Sequence, residues 1–262
     1  MTLVKDQLNV VGIQADLVWE DPKANRNYFE KEIREHSKET DLIVLPEMFT
    51  TGFSMNASTL AEDKEGETLI WLQQMAADCD VALIGSIIYT ENQHFFNRLF
   101  FVEPNGQTHT YDKRHTFTLA GEHEVYQSGS ELLQVSYKGW QICPLICYDL
   151  RFPVWSRNTT DYDLLIYIAS WPVKRVNAWD TLLQARAIEN MSFVVGVNRI
   201  GKDANNYEYS GHSAIIDYLG ESMSNLAPNQ VGIVKARLEK KDLLNVREKL
   251  GFLNDRDQFT IE

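Results

Sequence analysis

Apolar residues fall into short uninterrupted runs, separated along the chain by polar residues, Gly and Pro. A run of about four to eight apolar residues between turn signals is typical of a strand covered on both faces of a sheet. We therefore predict strands over residues 8–14, 41–47, 81–89, 95–102, 108–112, 132–137, 140–146, 163–169, 192–198, 213–218, 220–224 and 232–237.

Other segments repeat their apolar residues at helical spacing, and these predict helices over residues 22–40, 68–79, 176–191 and 239–249. Asp21 is the predicted cap of the first helix, with Pro22 at its first position. Residues 48–63, 114–130 and 201–210 are predicted loops, and residues 250–262 a polar tail. A long irregular segment in a compact domain is usually functional, which draws attention to residues 114–130.

The order of these elements predicts the fold class. Strands alternate with helices early in the chain and again between residues 147 and 198, while the strands between them pair as hairpins. This mixture favours a layered α/β sandwich with mixed sheets. The sequence contains no Pro/Gly/Ser-rich linker and no repeat, so we predict one domain over residues 1–262.

Composition excludes several classes of partner. The 262 residues carry a net charge of −12, and an acidic surface repels phosphate backbones, so we expect no nucleic-acid partner. No apolar run approaches the ~20 residues of a membrane span, and the N-terminal stretch is unlike a signal peptide. We expect a cytoplasmic protein without a membrane partner. The three cysteines predict neither a disulfide framework nor a metal site.

Cys147 is the first candidate for chemistry. It ends the apolar run 142–146, and a helix is predicted to begin at Arg151. At a sharp strand-to-helix turn, backbone amides and the positive end of the helix favour thiolate over thiol, as a nucleophile requires. The alternative is that Cys147 is a small buried hydrophobe, as most free cysteines are, and we assign that role to Cys79 and Cys143.

Like Cys147, Glu47 and Lys113 each stand at the end of a predicted apolar strand. Ligands of open α/β sheets lie outside the carboxyl ends of strands, and a carboxylate, an amine and a thiol together suit acyl transfer. Alternatively, Glu47 is a surface carboxylate and Lys113 a solvated hairpin residue. His115 and His123 have no place in this chemistry, and Asp149 and Arg151 are predicted to form a structural ion pair.

Three blocks of this sequence resemble the nitrilase, or carbon–nitrogen hydrolase, superfamily. They are residues 45–49 (LPEMF), 111–115 (YDKRH) and 146–153 (ICYDLRFP). The flanking segments ASWP at 169–172, RAIEN at 186–190, VNR at 197–199 and GHS at 211–213 also fit. The resemblance extends over nearly the whole chain, and three blocks in this order are very specific.

The resemblance implies a four-layer αββα sandwich, usually a dimer or larger, with a Glu-Lys-Cys triad. Glu47 would be the general base and Cys147 the nucleophile, and Lys113 would form the oxyanion hole with the backbone N–H of Tyr148. Many members use a second glutamate, which we align to Glu122, with Glu124 as the alternative. The resemblance implies no metal or organic cofactor.

Within the superfamily, residues 115–124 and 205–213 are similar to the omega-amidase branch, which hydrolyses the terminal amide of 2-oxoglutaramate or 2-oxosuccinamate. Such a substrate carries a carboxylate, for which Arg114, Arg151 and Arg175 are candidate ligands. Trp171, followed by Pro172, is expected to line the pocket. Other readings are a nitrilase, an N-carbamoyl amine hydrolase, a deaminated glutathione amidase, or a non-catalytic binding protein on this fold.

Overall fold

The computed structural model describes residues 5–261. Residues 1–4, within the N-terminal stretch discussed above, and Glu262, at the end of the predicted tail, lie outside the described residues. Among the residues described, no helix is long and apolar enough to cross a bilayer.

All twelve predicted strands are present, several of them shorter than predicted, together with two that were not predicted. The strands are β1 (Gln7–Gln14), β2 (Leu42–Val44), β3 (Ala82–Glu91), β4 (His94–Val102), β5 (Thr108–Asp112), β6 (Val135–Tyr137), β7 (Trp140–Ile146), β8 (Leu164–Ala169), β9 (Phe193–Asn198), β10 (Ile200–Lys202), β11 (Glu208–Ser210), β12 (Ala214–Ile216), β13 (Ser222–Asn225) and β14 (Gly232–Glu239).

The four predicted helices are also present, together with short ones in the predicted loops. The α-helices are α1 (Pro22–His36), α2 (Ala57–Leu60), α3 (Glu67–Cys79), α4 (Glu122–Val125), α5 (Val176–Asn190) and α6 (Lys240–Leu250). The Asp21 side chain accepts a hydrogen bond from the N–H of Ala24 at 2.9 Å, so the predicted cap of α1 is confirmed.

The strands form two six-stranded mixed sheets, ordered β14-β1-β2-β3-β4-β5 and β13-β12-β9-β8-β7-β6. In each sheet three central strands run parallel, β1-β2-β3 in the first and β7-β8-β9 in the second. One buried cluster joins the sheets, with Val44 and Ile84 of the first sheet among the same core residues as Ile146 and Ile166 of the second. Apolar burial between the two sheets therefore holds the middle layers together.

Helices cover both outer faces. Phe29 and Ile33 of α1 and Leu72 of α3 belong to a second buried cluster on the outer face of the first sheet. Trp179 and Leu183 of α5 are fully or almost fully buried and pack with the residues of the second sheet. The arrangement is an αββα sandwich with mixed sheets, which confirms the predicted fold class. The single domain over residues 1–262 stays a prediction.

Two local predictions were wrong. No helix begins at Arg151. A 3-10 helix begins at Cys147 instead and ends at Arg151. Phe152 comes next and precedes Pro153, and the residue before a proline is displaced from helical backbone angles. Residues 201–210 are not a loop, because β10 and β11 pair there as an antiparallel ribbon. The Asp203 side chain closes its turn by accepting N–H bonds from Asn205 and Tyr207, both at 2.9 Å.

Candidate active site

Cys147 is the residue at which β7 turns into the 3-10 helix. Its φ of 45° places its backbone in the left-handed region, which residues other than glycine rarely adopt because of steric crowding. The carboxylate of Asp149 supports the turn by accepting the N–H of Ile146 at 3.1 Å. Cys147 is buried, yet it lines a pocket. The sulfur therefore lies where the chain bends sharply at the edge of the parallel strands.

Glu47 follows β2 after Pro46, and its side chain is fully buried. Its Oε1 atom accepts hydrogen bonds from Lys113 Nζ and Asn97 Nδ2, both at 2.8 Å. Its Oε2 atom accepts the N–H of Ser170 at 2.8 Å. Because Ser170 follows β8, this last bond joins the ends of the two sheets. The structure rules out a surface position for Glu47.

Lys113 directly follows β5 and is 1% exposed, so it is not a solvated hairpin residue. Its Nζ atom donates to Glu47 Oε1 at 2.8 Å and to both carboxylate oxygens of Glu122, at 3.0 and 2.9 Å. Burial by itself would lower the pKa of Lys113, but the charges of Glu122 and Glu47 outweigh it and raise that pKa above its usual value. The amine is therefore held as an ammonium ion.

Glu122, rather than Glu124, lies in this cluster. Glu122 begins α4 and is fully buried, whereas the side chain of Glu124 is exposed. Burial raises the pKa of Glu122, Lys113 opposes this, and the neighbouring charge of Glu47 adds to it. Two carboxylates thus share one ammonium group away from water.

The pKa of the Cys147 thiol is shifted in the direction opposite to the one expected from the sequence. We expected the turn to favour thiolate, but burial raises the pKa of Cys147 well above its usual value, and Glu47 raises it further. Lys113 acts in the opposite direction without reversing the shift. The resting group is a thiol, so a nucleophilic reaction requires a base that removes its proton as the sulfur attacks.

The predicted Asp149–Arg151 ion pair is absent within residues 5–261. Asp149 instead accepts hydrogen bonds from Nδ1 of His115 at 2.8 Å and from the hydroxyl of Tyr111 at 2.7 Å. The ring of His115 stacks on Phe152 with 3.6 Å between ring centroids. His115 is thus a structural hydrogen-bonding residue behind the cysteine turn, as its loop position favours.

The pocket above Cys147 has an empty volume of about 490 Å³, open solvent at its mouth included. Its lining contains Lys113 and four residues predicted to bind substrate, Tyr148, Trp171, Arg151 and Arg175. Pro172 lines it beside Trp171. A pocket with apolar walls and a few polar groups is typical of a small-molecule site.

Two arginines lie in the pocket lining and the third candidate does not. The guanidinium of Arg175 lies 5.0 Å from the ring centroid of Phe117, and that of Arg151 lies 5.0 Å from the centroid of Trp171. Neither forms an ion pair with another described residue. Arg114 instead donates to the carbonyl of Gly129 at 3.1 Å, outside the pocket lining. Two positive charges therefore remain available to an anionic ligand.

Sequence reasoning missed Asn97, Ser170, Phe53 and Tyr209. Asn97 and Ser170 hold Glu47, while Phe53 and Tyr209 line the pocket. The sequence carried one usable signal, since Asn97 places an amide within the apolar strand 95–102, and a buried polar residue requires partners. Phe53 and Tyr209 gave none, because both lie in segments predicted as loops.

A metal site was not predicted, and residues 5–261 contain no group of three or more His, Cys, Asp and Glu side chains placed to hold an ion. The groups around Cys147 are an ammonium ion, two carboxylates and an amide, which suits proton transfer and electrostatic stabilisation by the protein itself.

Comparison with known proteins agrees with this geometry. The sequence profile of the carbon–nitrogen hydrolase family matches residues 8–248. The chain is 44% identical over 254 residues to an omega-amidase YafV of Yersinia enterocolitica, with 97% of this chain and 98% of that protein aligned. It is 35% identical over 248 residues to a 2-oxoglutaramate amidase of Bacillus subtilis, with 93% and 95% aligned.

The structure is also similar to that of XC1258 from Xanthomonas campestris, described as a CN-hydrolase superfamily protein with an arsenic adduct in the active site. The TM-score is 0.95 and the identity 40%, and the alignment covers 98% of this chain and 99% of the other. These matches confirm the resemblance found in the sequence blocks. The chain belongs to the carbon–nitrogen hydrolase family, also called the nitrilase superfamily.

Proposed function

We propose that this protein is an omega-amidase, which hydrolyses the terminal amide of 2-oxoglutaramate or 2-oxosuccinamate to the 2-oxo diacid and ammonia. One observation carries the proposal: the buried Glu47–Lys113–Glu122 cluster lies at a pocket that contains Cys147 and two arginines without acidic partners. The similarity to proteins named omega-amidase and 2-oxoglutaramate amidase supports the same substrates.

Glu47 is the general base in this proposal. The Cys147 pKa is raised, so the thiol carries its proton until substrate binds. Glu47 takes that proton while the sulfur attacks the amide carbon, and the new C–S bond gives a tetrahedral intermediate. Three donors hold the carboxylate of Glu47, from Lys113, Asn97 and Ser170, and they fix its direction before the reaction begins.

Lys113 and the backbone N–H of Tyr148 stabilise the oxyanion of that intermediate. Both residues line the pocket together with Cys147, and the ammonium charge of Lys113 is not screened by bulk water. When the intermediate collapses, the C–N bond breaks and a glutamate returns a proton to the nitrogen, which leaves as ammonia. The product that remains on the enzyme is a thioester of Cys147.

Hydrolysis of the thioester repeats the same steps with water. Glu47 or Glu122 takes a proton from water, whose oxygen attacks the thioester carbon, and the C–S bond breaks. The proton returns to the sulfur, so the enzyme ends each cycle with a neutral thiol. No redox change occurs, and the enzyme consumes only amide and water.

Arg151 and Arg175 bind the substrate carboxylate in this proposal. Their guanidinium groups lie against Trp171 and Phe117, so flat aromatic surfaces hold them without neutralising their charge. Planar guanidinium suits bidentate binding of a carboxylate. Lys113 does not compete for it, because two carboxylates already surround its charge.

We also propose a cytoplasmic homodimer, on the resemblance to the superfamily, whose members usually assemble through helices beside the active site. Ile188 of α5 and Leu244 of α6 are 51% and 47% exposed, which leaves apolar side chains on these helices for a second copy. Sedimentation that gives the mass of one chain would refute the dimer.

The function is tested by ammonia release from 2-oxoglutaramate, 2-oxosuccinamate, glutamine and a simple nitrile, with Cys147→Ala as the control. We expect turnover of both oxo-amides, none of the nitrile, and complete loss in the control. If none of the four is hydrolysed while iodoacetamide still alkylates Cys147 faster than Cys79 and Cys143, the substrate assignment is wrong and the thiol chemistry stands.

A further inference from the structure

Two nitrogen atoms hold the same pair of carboxylate oxygens in the buried cluster. Lys113 Nζ lies 2.8 Å from Glu47 Oε1 and 3.0 Å from Glu122 Oε1. Asn97 Nδ2 lies 2.8 and 3.2 Å from these same two oxygens. The four atoms therefore form a closed ring in which nitrogen and oxygen alternate. Asn97 uses both protons of its amide group in this ring.

The orientation of the Asn97 amide follows from its surroundings. Its Oδ1 atom is buried and has no hydrogen-bond partner among the described residues. Turning the amide over would place that oxygen against two carboxylate oxygens, and oxygen lone pairs would face each other. Only the orientation with Nδ2 towards the glutamates supplies donors, so Asn97 acts as a neutral double donor.

The backbone holds this donor in a fixed place. Asn97 is 1% exposed and lies in β4 opposite Ile88 of β3. Its carbonyl accepts the backbone N–H of Lys113 at 3.1 Å. Asn97 thus connects the end of β5, where Lys113 lies, with the side chains of Glu47 and Glu122. A carboxylate pair held at two points by rigid donors cannot rotate away from the thiol without losing hydrogen bonds.

We propose that Asn97 is a positioning residue, whose amide donates to Glu47 and Glu122 and holds them in place around Lys113 so that Glu47 faces the thiol of Cys147. Asn97 is not part of the pocket lining and acts on the substrate only through the two glutamates. This inference rests on the proposed function in one respect, because Glu47 is taken as the base.

The direction in which the acid limb of the activity profile should move follows from the groups around the two glutamates. The titratable neighbours are Lys113, Cys147 and the phenols of Tyr126 and Tyr209. A hydrogen bond donated to a carboxylate favours its ionised form and lowers its pKa. Removing the donor to Glu122 therefore raises the pKa of Glu122, which burial has already raised. The acid limb of the activity profile then moves to higher pH.

Two substitutions of Asn97 separate the effect of its hydrogen-bond donors from the effect of its side-chain shape. Asn97→Leu keeps approximately the size of the side chain and removes both donors. Asn97→Asp keeps the shape and adds a third acid beside the glutamates. Asn158→Leu is the matched control, since Asn158 is also fully buried but its amide donates to the carbonyls of Tyr162 and Asn190 instead. The control measures what the loss of any buried amide does to the fold.

The measurements are kcat and KM for 2-oxoglutaramate, the pH profile of kcat/KM, thermal stability, and the pH dependence of iodoacetamide alkylation at Cys147. We expect both Asn97 variants to lower kcat by about tenfold or more, with KM changed less than about threefold, and to move the acid limb upward. The Asn158 control is expected to lower stability and leave the acid limb in place.

An Asn97→Asp protein with wild-type kcat and acid limb would overturn the proposal, because shape alone would then suffice. The same conclusion follows if Asn97→Leu changes only stability, or if neither Asn97 variant folds, since Asn97 would then serve the fold. If the wild-type protein hydrolyses no amide, the substrate assignment fails separately. The alkylation profile, which requires no substrate, still decides the role of Asn97.

Discussion

Lys113 Nζ lies 2.8 Å from Glu47 Oε1, although 66 residues separate the two in sequence. The side chains are 1% and 0% exposed, so both charges have lost their hydration. Desolvating an ion pair costs about as much as its attraction returns, and a buried pair is therefore weak evidence of stability. A second buried carboxylate, Glu122, adds repulsion to that cost. A cluster of this kind is expected where function, and not folding, requires the charges.

The two candidate second glutamates give a direct test of the site. Glu122→Gln keeps the size of the side chain and removes its charge, so we expect kcat to fall about 100-fold or more. Glu124→Gln is the matched control, because the exposed Glu124 side chain lies outside the cluster, and we expect activity within about twofold of the wild type. Steady-state kinetics on 2-oxoglutaramate check both. Equal losses in the two variants would contradict the assignment.

The protonation state of Cys147 is a second test. Since burial raises its pKa, the thiol is protonated at neutral pH, and the thiolate forms only above the usual value of about 8.5. We expect the ultraviolet absorbance of thiolate, measured as wild type minus Cys147→Ala, to be absent at pH 7 and to rise in alkaline solution. One full equivalent of thiolate at pH 7 would show that the cysteine is activated before substrate binds.

Sequence analysis identified the reactive residues at strand ends. It missed the residues whose role is a hydrogen bond between segments distant in sequence. Glu47 and Cys147 are recognisable because an apolar run stops directly before them, and the structure places both at the pocket end of the parallel strands. Asn97 and Ser170 were missed because their role depends on distance in space. Ser170 reaches Glu47 across 123 residues, and local periodicity contains no information about such a contact.

The same limit explains the errors at Cys147 and Asp149. Spacing along the chain predicted that Asp149 would pair with Arg151, two residues away. In the folded chain Asp149 faces His115 and Tyr111, which lie 34 and 38 residues away. Likewise, the expected thiolate followed from the local turn alone, whereas the burial that raises its pKa comes from the packing of both sheets.

Stability in acid is expected to depend on Asp41. Burial raises its pKa, but the N–H of Asn9 and the amines of Lys138 and Lys5 outweigh this, and the pKa lies below its usual value of 3.8. The lowered pKa means that ionised Asp41 stabilises the folded state at every pH above 3.8. That contribution is lost as the pH falls from 3.8 through the folded-state value.

Asp41→Asn should therefore lower the free energy of unfolding at pH 7 by about 1–3 kcal/mol and flatten its decline below pH 3.8. Asp161→Asn is the control, because Asp161 is 68% exposed in its pair with Arg256 and should contribute less than about 1 kcal/mol. Urea titrations over a range of pH measure both. An unchanged acid slope in Asp41→Asn would contradict the assignment.

Recognition of the substrate carboxylate is the remaining test, and Arg175 and Arg114 make a matched pair. Arg175 lines the pocket without an acidic partner, while Arg114 bonds to the carbonyl of Gly129 and lies outside the lining. Arg175→Met keeps the apolar stem over Phe117 and removes the charge. A charge-assisted hydrogen bond contributes about 1.5–3 kcal/mol, so kcat/KM for 2-oxoglutaramate should fall about 10- to 100-fold.

A substrate without a carboxylate distinguishes charge recognition from a general loss of activity. Turnover of an uncharged amide of similar length by Arg175→Met should match that of the wild type, because nothing in that substrate meets the guanidinium. Arg114→Met should leave both substrates within about twofold. If Arg175→Met loses both substrates equally, Arg175 supports the pocket wall instead, since its guanidinium packs on the ring of Phe117. Arg151, which lies against Trp171 in the same pocket lining, would then be the ligand to test.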